Sequence, residues 1–100
     1  MGVESVQKSK VPAVVKTAIE KTTSWNVYKL HSDNRAWHRR RKFVLGGMHK
    51  EPTLKQRTAL VANIEVELST NQLQYDSVGM VKLKSNAYGT YWAIIVNTRF

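Results

Sequence analysis

One hundred residues with 42% apolar content are enough for one folded domain with a single core, and too few for two. Sixteen Lys/Arg against seven Asp/Glu give a net charge of +9, and the absence of cysteine removes disulfides, thiolate metal sites and thiol nucleophiles together. No apolar run approaches the length of a membrane-spanning helix, so the chain reads as an intracellular, cytoplasmic protein or as part of a virion or nucleoprotein particle.

Residues 1–10 are polar and aperiodic, and read as an N-terminal arm ahead of a single domain over 11–100. Met1-Gly2 could open a myristoylation motif, but position 6 is Val6 where that motif needs Ser or Thr. From Val11 the pattern is helical. Val11, Val14, Val15, Ala18 and Ile19 recur at spacings of three and four, and Pro12 suits a first turn, which predicts a helix over 11–22. Trp25 to His31, rich in β-branched and aromatic residues, predicts a short strand.

Ser32-Asp33-Asn34 can cap a helix or turn a hairpin. As a strand, the segment after it would carry charge on both faces, which a half-buried sheet tolerates badly. As a helix it gathers Ala36, Trp37, Phe43 and Val44 in one arc, with Arg40 inside the arc and Gly46-Gly47 as the stop. The expectation is a basic helix over 34–45.

Glu51-Pro52 interrupts the chain next. Leu60, Ala62, Ile64, Val66 and Leu68 then alternate strictly, which favours a strand over 58–69, although Leu54, Val61, Ile64 and Leu68 also form a helical stripe. A strand region over 73–84, interrupted near Asp76-Ser77 and Gly79, and a turn at 85–89 lead to a last strand over 90–97. That strand is apolar on both faces, as central strands or strands meeting another subunit are. The fold class is α+β: an N-terminal helix, a short strand, the basic helix, then a C-terminal antiparallel β-meander packed against the helices. The uncovered apolar face of the last strand favours a homo-oligomer.

Charge is concentrated rather than spread. Between Arg35 and Arg57 stand eight Lys/Arg against Glu51 alone, so seven of the nine net charges lie in that block. Such a block points to a polyanion, because each neutralised phosphate releases condensed counterions. The candidate nucleic-acid-binding residues are Arg35, His38, Arg39, Arg41, Lys42, Lys50, Lys55 and Arg57, with Trp37 and Tyr88 as candidate base-stacking rings. Trp92 and Phe43 are expected in the core. His31, His38 and His49 lack metal-ligand spacing, and no P-loop, GxGxxG or GxSxG motif occurs. The leading reading is a non-enzymatic binder of RNA or DNA that grips phosphates with little sequence readout. It needs no cofactor, small-molecule substrate or membrane. The alternative is a self-assembling coat subunit whose basic face lines nucleic acid. A third reading is a metal-independent ribonuclease using His38 with His31 or His49.

Overall fold

The computed structural model describes residues 3–22, 30–32, 40–48, 51–87 and 89–99. Its elements are α1 (Val3–Thr22), β1 (Leu30–Ser32), β2 (Arg40–Met48), α2 (Leu54–Thr70), β3 (Tyr75–Asn86) and β4 (Gly89–Thr98). The strands form one antiparallel sheet in the order β1-β2-β4-β3. The fold is α+β, and both helices cover one face of the sheet. Val11, Val15 and Ile19 of α1 and Leu60, Ile64 and Leu68 of α2 share a core with Phe43 and Leu45 of β2 and Trp92, Ile94 and Val96 of β4. Phe43 registers with Ile94 and Leu45 with Trp92, so these strand residues come from a single face.

The α1 stripe folds as its spacing predicts, but the helix begins at Val3, ahead of the expected start at Val11. Nothing between Val3 and Lys10 breaks a helix, and Pro12 sits inside it at the loss of one backbone hydrogen bond. Of the strand expected over 25–31, Leu30 and His31 are in β1 and the rest lies outside the described residues.

Two segments exchange their expected structures. Residues 40–45, expected in a basic helix, are the start of strand β2; residues 34–39 lie outside the described residues. A strand is affordable here because only one sheet face is buried: Arg40 and Lys42 point to the open side, while Phe43 and Leu45 fill the core. Gly46-Gly47 does not end a helix but lies in a register shift between Leu45 and Met48, a bulge position that glycine suits.

Conversely, 58–69 is helix. Leu60, Ile64 and Leu68 serve both periods, and the residues that would have shared their strand face tell them apart: Ala62 is exposed and Val66 is 59% exposed. What starts the helix is Thr53, whose hydroxyl accepts from the Gln56 N–H at 3.1 Å while the Gln56 side chain accepts from the Thr53 N–H at 2.8 Å. This capping box contributes on the order of 1 kcal/mol. The second helix of the fold therefore comes after the basic segment, not within it.

The last two strands form a hairpin, with Asn86 paired to Gly89, whose φ of 120° only glycine adopts without strain. The interruption expected near Asp76 is a register shift between Tyr75 and Ser77. β4 is central, flanked by β2 and β3. Among the described residues no helix is long and apolar enough to cross a membrane.

Candidate nucleic-acid interface

Strand alternation sorts the basic block between two faces. Arg40, opposite Asn97, and Lys42, opposite Ile95, stand exposed on the face that neither described helix covers. Arg41 between them points inward opposite Val96 and is 4% exposed. Its Nε has no hydrogen-bond partner among the described residues, so Arg41 is an interior cation and not a surface one. Arg35, Trp37, His38, Arg39, Lys50 and Tyr88 lie outside the described residues, as does His49.

Lys55 and Arg57 belong to the opposite layer, in the first turn of α2. Lys55 is exposed. Arg57 is half-buried and structurally engaged: its Nη1 donates to the Pro52 carbonyl at 2.7 Å, and its guanidinium lies 4.7 Å from the centre of the Trp92 ring. The structure thus brings Arg40 and Lys42 together and separates them from Lys55 and Arg57. As expected, Trp92 and Phe43 are core residues.

The open sheet face has a distinctive composition. Between Arg40 and Lys42 on one side and β3 on the other run Tyr91, Ala93 and Ile95 of β4, with Val44 and Val81 flanking Ala93 across the strands. Ala93 is buried, while Val44, Tyr91 and Ile95 are half-exposed. A Cβ built at Gly79, which also faces this side beside Ile95, would meet nothing within 4 Å. Asn97 donates to Ser77 Oγ at 2.8 Å across the same face.

The outward positions of the sheet that stand in register carry no carboxylate among the described residues, while Asp76 stands exposed at the register shift near the start of β3. The described acids are mostly occupied. Glu67 pairs with Lys21 at 2.8 Å, Glu51 with Lys82 at 3.0 Å and Asp76 with Arg99 at 2.7 Å. Glu65 accepts from the Tyr75 hydroxyl at 3.1 Å. Burial first, and then that carboxylate, push the Tyr75 phenol above its ordinary value. The open face is therefore apolar in its middle and cationic along β2, with Asp76 at the shift of β3 paired to Arg99.

Sequence reasoning set Arg40 aside as the cation trapped in a helical apolar arc. In the strand it becomes an exposed charge of the block, a placement that period-two alternation from Arg40 to Leu45 carries. Of the three histidines His31 lies in β1, and His38 and His49 lie outside the described residues. Among the described residues no cluster of His, Asp or Glu could hold a metal ion. No protein-family model, curated protein or solved structure matches this chain.

Proposed function

We propose that this protein binds single-stranded nucleic acid across the open face of its sheet, without enzymatic activity and with little sequence readout. The observation that carries the reading is the composition of that face: Arg40 and Lys42 exposed beside half-exposed Tyr91 and Ile95, with the exposed Asp76 of β3 already paired to Arg99. Phosphates suit the two cations through counterion release. Unpaired bases suit the apolar middle, where Tyr91 offers a ring to stack on, a contribution of about 1–3 kcal/mol per base in such sites. A duplex keeps its bases stacked inside and would leave the apolar strip without a counterpart, which favours single strands.

Arg35, Arg39 and Lys50 extend the same block along the sequence and are proposed as further phosphate contacts. The second reading, a nucleoprotein coat subunit, is favoured by the outer edge of β3, with which nothing pairs among the described residues. The test is binding to single- and double-stranded RNA and DNA over a salt series. Single strands are expected to bind tighter than duplexes, with log K falling linearly in log salt. Equal binding of both forms would reduce the interface to a phosphate clamp, and no binding at low salt would end the proposal.

A further inference from the structure

We infer that two copies of this chain join edge to edge through β3 and α2, forming a two-fold dimer with one continuous sheet. β3 is an edge strand of 12 residues, about twice the usual strand length, and among the described residues nothing pairs with its outer side. Between its two register shifts, Ser77 to Lys82 runs regularly and presents unpaired backbone groups. All four large apolar side chains that stand exposed among the described residues lie on α2 and β3: Leu54, Val66, Val81 and Leu83. Of these, Val81 lies on the open face opposite Ala93, within the regular part of the edge strand.

The groove between α2 and β3 makes that edge complementary to itself. It encloses about 310 Å³ and is lined by Arg57, Thr58, Val61, Ala62, Glu65 and Met80. Arg57, Val61 and Glu65 follow at intervals of four along one stripe of α2, with the cation at one end and the carboxylate at the other. Met80 shares the groove with Val61, so a two-fold axis through the middle of Ser77–Lys82 also passes near Val61. Antiparallel pairing of β3 with its copy about that axis sets α2 antiparallel to its copy on the same side of the sheet. Arg57 of each chain then faces Glu65 of the other, and small Thr58 and Ala62 permit close approach of the helices. The axis stands perpendicular to the sheet, so both open faces end on one side.

This interface does not depend on the nucleic-acid reading, and nuclease-treated protein tests it separately. Sedimentation equilibrium of the full chain in 0.15 M salt should give twice the 11.5 kDa chain mass at micromolar concentration. Arg57→Glu or Glu65→Arg alone should weaken the dimer at least about tenfold, and the double exchange should restore it, because the two-fold recreates the pair with reversed sign. Arg57 also stacks on Trp92, so a second readout uses the parent protein: amide exchange across Ser77–Lys82 should slow as protein concentration rises. A chain that stays at 11.5 kDa with concentration-independent exchange in β3 overturns the inference. So does a dimer whose strength neither charge reversal changes and whose β3 amides stay unprotected, since it must use another surface.

Discussion

Ile94 and Ile95 are neighbours on β4, yet Ile94 is fully buried beneath the helices while Ile95 stands half-exposed on the side neither described helix covers. The same division separates Arg41, interior, from Arg40 and Lys42, exposed. Side-chain alternation in a strand thus assigns adjacent residues to different tasks. One face holds the helix layer and supplies stability. The other face is apolar and cationic, and neither described helix covers it. That face is the one to which the proposed function assigns the partner.

The largest expected effect tests this division on one strand. Ile94→Ala should cost about 2–5 kcal/mol in denaturant unfolding, as cavity-forming core truncations do. Ile95→Ala should cost less than about 1.5 kcal/mol. Equal losses would mean that the open face is covered in the isolated chain. Next, Thr53→Ala removes the hydroxyl that starts α2 and should lower stability by about 1 kcal/mol with the open face untouched.

A smaller effect concerns Tyr75, which ties the edge strand to α2 through Glu65. Its phenol is held above its ordinary value, so the folded chain keeps that proton more tightly than the unfolded one. The resulting stabilisation is full below the ordinary value, about pH 10, and is lost as pH rises through the folded one. In an alkaline absorbance titration one of the four tyrosines should ionise late, and Tyr75→Phe should remove that late component. Smallest of all should be Arg41→Met, since an apolar chain of similar length replaces a buried guanidinium whose Nε lacks a described partner. Unfolding free energy should stay level or rise slightly. A loss beyond about 2 kcal/mol would show that the guanidinium is paired.

Much of the core-facing half was legible in the sequence. The spacing of Val11, Val15 and Ile19 marks α1, and the doubly apolar Tyr91–Val96 marks a central strand. The basic segment was misread because charge on both faces was counted as a penalty, whereas only one face of this sheet is buried and Arg41 alone goes inside. α2 was misread because Leu60, Ile64 and Leu68 fit periods of two and four equally well. The deciding signal was local: Thr53 and Gln56 at capping-box spacing directly after Pro52. Of the two cations exposed on β2, Lys42 is among those the charge run names. Arg40 was passed over, because its exposure follows from strand geometry and not from composition.

The central claim is that the open face, rather than net charge, takes the nucleic acid. Two double reversals separate these, each lowering the net charge from +9 to +5: Arg40→Glu with Lys42→Glu on the open face, and Lys10→Glu with Lys16→Glu on exposed positions of α1. Affinity for a single-stranded oligonucleotide is then measured over a salt series for both variants and the parent. The open-face variant should lose binding and flatten the slope of log K against log salt by at least about 1.4, the share of two phosphates on a single strand. The α1 variant should stay close to the parent. Equal weakening by both variants would contradict the account and leave long-range charge as the whole of the attraction.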